Sequence, residues 1–515
     1  MAKRLSTDDG KSLIQRRQEH NIALICKIYT IYMMFAYVIF CPQGYVAFDT
    51  NKRIIFMIGL AALVVAFLLC KSSSLDDKRR QPLKSRIGIL DYGFMAIGVS
   101  WIIATLLSSN KSDAIWGDTF RVMGLVFMLG TVVAAWIFSR YGKWDDNLTW
   151  CFLVMVWIEN FMEIMQYLGH DFLNWQMDGQ YTYLKGTLGA KNQNGCFIVI
   201  TLAILMAMFL LCRKQSQKIA IGVALFTDFA AGVVIESAVF YVGMAAVIIV
   251  FIYCVLARPE HLKCAWIESV IFYAALVAMA LTYKANPDGV LLIEETSYTL
   301  FEVRNLIIIA AGIALIGAIV FAANNLLAEI GNAIARVYGC IILAVTFITA
   351  LLALIANASG ATSGFLAKFV ISDDFGTRRG MIWKAVLGAF SDSSIINQIF
   401  GHGFGQLSQL QLLAEEFASE GTIADAHNTF FDMLYSTGVI GALLYMAIII
   451  ALLVWAVRLY HKDERNMIGI LAAVSFITVG LINSNLNVTT PLAWIAFGFA
   501  FKFILDGKEA VSTEK

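Results

Sequence analysis

The sequence predicts an all-α membrane protein, a polytopic bundle of about fourteen transmembrane helices with one large extracytoplasmic loop of short helices. Three observations carry this. Hydrophobic residues make up 59% of the 515 and charged residues only 15%, with a mean hydropathy of +0.73; a soluble domain sits nearer 45–50% apolar and about 25% charged. Apolar runs of about 18–25 residues recur along the whole chain. Proline is sparse, at 5 residues, so few helices should be kinked by it.

Taken in order, the expected spans are 22–40, 54–70, 87–107, 119–139, 148–168, 194–212, 219–236, 238–257, 264–283, 304–327, 337–356, 433–457, 467–485 and 489–506. The polar first twenty residues and the length of the first run argue for a retained span rather than a cleaved signal. Around Glu236 and Ser237 the pattern suits one broken helix or two short ones. Basic residues cluster at the N-terminus (Lys3, Arg4, Lys11, Arg16, Arg17), at Lys71–Arg86, and near Arg213, Arg258 and Arg458. That side carries about twice the Lys and Arg of the other, so it is expected to be cytoplasmic, with both termini inside. Three parts follow: membrane helices over 1–356, an extracytoplasmic catalytic loop over 357–432, and membrane helices with a cytoplasmic tail over 433–515.

Nine cysteines are scattered singly, with no CxxC and no Cys/His spacing suited to zinc, and no metal site is expected. No internal repeat stands out, which counts against repeat-built transporters. The polar signature concentrates in the long loop. Arg378 and Arg379 are adjacent guanidiniums on the side otherwise poor in positive charge, and their planar forks suit phosphate oxygens; the competing role is pairing with Asp373 and Asp374 while snorkelling to headgroups. Gly401, Gly403 and Gly405 alternate with His402 and Phe404, which reads as a tight turn or as an anion-cradling nest. His427 precedes an apolar span, where a neutral imidazole can take a proton from a sugar hydroxyl. Asp425 or Asn428 would orient it or cap the following helix.

Elsewhere, Arg121 at the outer end of its span is expected as a further phosphate contact. Trp175, Tyr181 and Tyr183 suit sugar stacking or interfacial anchoring. Asp91, Glu159, Glu163, Asp228 and Glu268 lie in apolar surroundings, where a charge is costly unless paired or wetted. Such carboxylates also suit a second class of function, an ion-coupled secondary transporter, and a scaffolding membrane protein is the third class.

The elements Arg379-Gly380-Met381-Ile382-Trp383, Gly401-His402-Gly403-Phe404-Gly405, His427-Asn428 and Gly438-Val439-Ile440-Gly441 together resemble the O-antigen ligase/polymerase superfamily. Gly186-Thr187-Leu188-Gly189 with Asn192 and Asn194 looks like that family's Gly-x-Gly-Asn-x-Asn element, and Gly117 to Gly124 with Arg121 like its early Arg-x-x-Gly element. The resemblance implies a C-type, metal-independent and inverting glycosyltransferase without cofactor. Its implied donor is an undecaprenyl-diphosphate-linked glycan, and its acceptor a glycan or glycolipid at the outer face of the bacterial cytoplasmic membrane. A surface-polysaccharide polymerase is the first expectation and an O-antigen ligase the second. Arg379, Arg378 and Arg121 would hold the diphosphate and His427 would act on the acceptor. Gly401, Gly403, Gly405, Asp425 and Asn428 would support the site, and Tyr181, Tyr183, Lys191 and Asn192 would face the glycan. Membrane lipid and other polysaccharide-assembly membrane proteins are the expected partners, and nucleic acid is not. One departure is plain: where the family has Ser-Arg-Gly, this chain has Glu236-Ser237-Ala238, which leaves Arg121, Arg304 or Arg378 to replace that arginine.

Overall fold

The computed structural model describes residues 13–72, 88–118, 122–172, 184–287, 295–409, 425–484 and 486–513. Among these there is no strand, and nineteen α-helices follow one another. In chain order they begin with α1 (Leu13–Tyr32, continued by a π-helical turn, Met33–Ile39), α2 (Phe48–Ser72), α3 (Ile89–Leu107), α4 (Lys111–Trp116), α5 (Leu125–Tyr141) and α6 (Asp146–Tyr167). Next are α7 (Lys191–Leu211), α8 (Gln215–Val234), α9 (Ala238–Ala257), α10 (Leu262–Ala285), α11 (Glu295–Phe301), α12 (Val303–Ala322) and α13 (Asn324–Ser359). The last six are α14 (Gly364–Ala367), α15 (Phe375–Ser391), α16 (Ile395–Phe400), α17 (Thr429–Tyr460), α18 (Asn466–Ile482) and α19 (Thr489–Thr513).

Twelve of the described helices are long and apolar enough to cross a membrane, and α5 and α18, at 17 residues each, are shorter. Together they follow the order of the fourteen expected spans, and the chain is a multi-pass membrane protein. α7 is apolar on every face and buried on nearly all of them, as a central helix must be. α12 and α13 lie at the periphery with most of their apolar side chains outward.

Three local features shape the span pattern. The expected break at 328–336 is absent: α12 stops at Ala322, and α13 runs unbroken for 36 residues from Asn324. Leu326, Leu327, Ile330 and Ile334 recur at helical spacing through that stretch, so Glu329 and Arg336 ride on the helix instead of marking a loop. The pair around Glu236 resolves into two helices, with Glu236 at φ 55° in the turn between α8 and α9. Finally, α17 is two helices joined at Gly438 (φ 66°, ψ −177°), so the kink is a glycine's and not a proline's.

Three of the five buried carboxylates singled out in the sequence are held by hydrogen bonds or pairing. Asp91 accepts from the indole of Trp136 at 2.7 Å and pairs with Arg140. Asp228 accepts from Thr201 Oγ1 at 2.7 Å, and Glu159 accepts from the Thr187 N–H at 2.9 Å. Lys52, 1% exposed, was not foreseen. Its Nζ donates to the carbonyls of Tyr37 (2.7 Å), Val38 (2.8 Å) and Phe40 (3.1 Å), acceptors left open where the π-helical turn ends.

Candidate functional site

α15 brings the arginine element to the histidine element through one aromatic. Trp383 follows Arg379 by four residues and so shares its helical face. Its Nε1–H donates to the carbonyl of Ala426 at 2.9 Å, and its ring packs against Phe375 and Phe431, with centroids 5.6 and 5.5 Å away. Ile382, Val386, Leu407, Ala426 and Tyr435 close around this contact as a small apolar core separate from that of the bundle. The residue after Ala426 is His427.

His427 has φ 47°, a left-handed conformation that is costly for a side chain other than glycine and that tends to occur at functional sites. Asp425 holds it there. Its Oδ1 accepts the His427 backbone N–H at 2.7 Å, lies 3.3 Å from His427 Nδ1 and accepts from Ser484 Oγ at 2.8 Å. Asn483 Oδ1 stands 3.5 Å from the same Nδ1. With two oxygen acceptors before it, Nδ1 is the nitrogen placed to carry the proton, which leaves Nε2 basic. The His427 side chain is 32% exposed, whereas that of Asp425 is 5% exposed. Asn428 caps α17, with Oδ1 accepting from the N–H groups of Phe430 (2.9 Å) and Phe431 (3.2 Å). Its amide also donates to the Leu481 carbonyl at 2.9 Å, stitching α17 to the end of α18.

Arg379 is half-buried. Nη1 donates to the Gly376 carbonyl at 2.9 Å, and the buried Nε has no hydrogen-bond partner among the described residues. Burial pulls its pKa below the usual guanidinium value, and the nearby charge of Asp425 opposes that shift. Arg378, at φ 66°, is exposed, and Arg304 lies apart at the start of α12, exposed beside Glu302.

The glycine turn is packed, not open. The break at Gly438 frees the carbonyls of Tyr435 and Ser436 from the helical ladder, and the N–H groups of His402 (3.1 Å) and Gly403 (2.8 Å) donate to them. Those two groups are therefore spent on the kink and are not presented to an anion. Gly401 (φ 89°) lies so close to Ser436 that a Cβ would overlap its carbonyl. The His402 ring stacks on Tyr435 at 4.3 Å, and its Nε2 is 3.0 Å from Ser393 Oγ. A cavity of about 60 Å³ beneath the turn is lined by Asp118, Phe404, Gly405, Asp425, Asp432 and Ser436 among others.

The Gly186 to Asn194 element meets this region from α7. Gln166 Oε1 accepts the Gly186 N–H at 2.9 Å, Asn192 Oδ1 accepts from Ser237 at 2.9 Å, and Cys196 Sγ faces Asn483 Nδ2 at 3.4 Å. Lys191 and Asn192 are half-buried at the start of α7. Arg121, Tyr181, Tyr183 and Trp175 lie outside the described residues. Sequence reasoning missed Asn483 and Ser484, which it placed inside a span over 467–485; α18 ends at Ile482, and the signal was the polar run Asn483-Ser484-Asn485 between two apolar stretches.

No curated protein matches the chain. Residues 297–446 match the model of a family described as O-antigen ligase. This segment holds Arg379, Trp383, the glycine turn, His427 and the kink at Gly438. The chain thus resembles the O-antigen ligase/polymerase superfamily over the stretch that builds the site, as its motifs imply.

Proposed function

We propose that the protein is an inverting, metal-independent glycosyltransferase of the outer face of the cytoplasmic membrane, with both termini cytoplasmic. It moves a glycan from an undecaprenyl-diphosphate-linked donor to an acceptor sugar hydroxyl, as a surface-polysaccharide polymerase. The family match supports glycan transfer of the O-antigen ligase/polymerase type. The observation that carries the finer reading is that Trp383, one helical turn beyond the half-buried Arg379, bonds the residue before the partly exposed His427, whose Nδ1 lies 3.3 Å from Asp425.

In this reading Arg379 binds the donor diphosphate, with Arg378 and Arg121 as further contacts. Asp425 fixes the Nδ1–H tautomer, and Nε2 of His427 takes the acceptor proton. The acceptor oxygen then bonds to the anomeric carbon from the face opposite the diphosphate, the carbon–oxygen bond to phosphate breaks, and the lipid diphosphate leaves with the bonding pair. Arginine stabilises that developing charge. No carboxylate pair of the glycosidase kind is needed, because diphosphate already leaves well. Lys191 and Asn192 at the start of α7 border the glycan side, and residues 357–432 form the catalytic loop between membrane helices.

The description of the matched family favours a second reading, a ligase whose acceptor is a lipid core or protein. The test uses the protein in reconstituted membranes with a lipid-diphosphate repeat unit, comparing wild type with His427→Ala and Arg379→Ala. Elongated glycan from wild type alone supports polymerase and site together; product only when lipid core is added supports the ligase. No product with a verified donor and acceptor overturns the transferase.

A further inference from the structure

α16 is apolar on the side it presents outward. Ile395, Ile396 and Ile399 are 74%, 57% and 37% exposed, in a six-residue helix of a segment that the sequence places outside the membrane. Some of its polar groups are bonded locally. Ser394 accepts the Asn397 N–H at 3.2 Å, and Gln398 Nε2 donates to the carbonyls of Ser391 (2.8 Å) and Ser393 (3.2 Å).

α3 serves as a ruler for that depth. Its 19 residues span about 28 Å at 1.5 Å each, close to the thickness of a hydrocarbon core. The turn that follows α16 runs down the side of α3. A Cβ on Gly403 would meet Ser108 at 2.8 Å, and the Phe404 ring lies edge-on to Trp101 at 5.4 Å. Trp101 is six residues, or roughly 9 Å, below the last residue of α3. α16 also sits on the kink of α17, where a Cβ on Gly438 would overlap the backbone of Ile399 and Phe400. Immediately below the kink, Val439 and Leu443 are 41% and 65% exposed, and on α3 Leu106 is 65% exposed. The exposed isoleucines thus continue the outward apolar surface of two spans.

We propose that α16 forms a shallow re-entrant wedge, with Ile395, Ile396 and Ile399 lying among the lipid acyl chains of the leaflet on that side. The occupant is lipid and not a protein partner, because the patch is continuous with the surfaces that α3 and α17 turn to the bilayer. α16 follows α15 directly, so the wedge sets the height of Arg379 at the membrane surface. This holds whichever reaction the site performs.

The test places a photoreactive benzoylphenylalanine in the full-length protein at Ile395, Ile396 or, as controls, at exposed Asp392 and Lys384, one variant at a time. Each is irradiated in native membranes and its adducts are identified by mass spectrometry. The wedge predicts lipid adducts at 395 and 396 at least tenfold above both controls. Adducts to another polypeptide or to a second copy of the chain, or lipid adducts no higher than at the controls, overturn it.

Discussion

The indole N–H of Trp383 and the carbonyl of Ala426 lie 2.9 Å apart, and that bond joins the two halves of the candidate site. One partner is fixed four residues beyond Arg379 and the other one residue before His427. Replacing Trp383 with Phe keeps most of the packing but leaves the buried Ala426 carbonyl unpaired, a cost of about 1–3 kcal/mol. Trp383→Phe should lower the unfolding temperature modestly and glycan transfer more strongly. Trp383→Ala should cost about 3–5 kcal/mol by opening the small core. Thermal unfolding and initial rates on the same preparations check both.

His427→Ala should lower transfer about 10²–10⁴-fold with donor binding retained, the usual worth of a positioned general base. Asp425→Asn should also reduce the rate, because a carboxamide supplies a weaker acceptor for Nδ1–H. Arg379→Lys should chiefly raise the KM for the lipid diphosphate, since an ammonium cannot form the planar fork. Steady-state rates at varied donor separate these effects, and equal rates in all three variants would remove the site assignment.

Gly438 occupies a backbone region open essentially to glycine alone, so Gly438→Ala should destabilise by at least about 1–3 kcal/mol, before counting its overlap with Ile399. Val439→Ala, one residue on and outward-facing, should change little. Paired melting curves in lipid nanodiscs test the contrast.

Burial holds the pKa of His402 below the ordinary histidine value, with its hydrogen bond to the Tyr435 carbonyl opposing the shift. A histidine lowered in the folded state contributes stability above its unfolded pKa of about 6.5. That contribution falls as pH drops from there towards the folded value, because the unfolded chain takes up the proton first. Lowering the pH from 7.5 to 5.5 should therefore reduce the melting temperature of wild type more than that of His402→Gln.

Lys52→Met should destabilise the bundle by about 2 kcal/mol or more, because the Tyr37, Val38 and Phe40 carbonyls lose a shared buried donor. A melting temperature equal to wild type would show that these carbonyls find other donors.

The helices were legible because hydrocarbon imposes length and apolarity on any span, and both are written in composition. Breaks were legible only where polarity and helix end coincide. Asn324, near the end of an expected span, begins a helix, whereas the charged Glu329 and Arg336 interrupt nothing. Arg379, His427 and the glycine turn could be picked out as residue types in order along one loop. Their juxtaposition could not, since it rests on Trp383 reaching Ala426 and on Asp425 meeting Ser484, contacts that no spacing rule encodes. Asn483 was hidden by the strength of the apolar runs on either side.

The dependence of His427 on the far end of α18 also bears on how the chain is made. Asp425 and His427 meet Ser484 and Asn483 more than fifty residues later, and Thr429 donates its N–H to the Asn483 carbonyl at 3.1 Å. During synthesis the loop is therefore finished well before the residues that orient its histidine emerge. A ribosome-bound chain ending after α17 holds both Arg379 and His427 yet lacks half the frame around the imidazole. For the reaction proposed above, competence would thus arrive only with the last helical hairpin, once the bundle has closed.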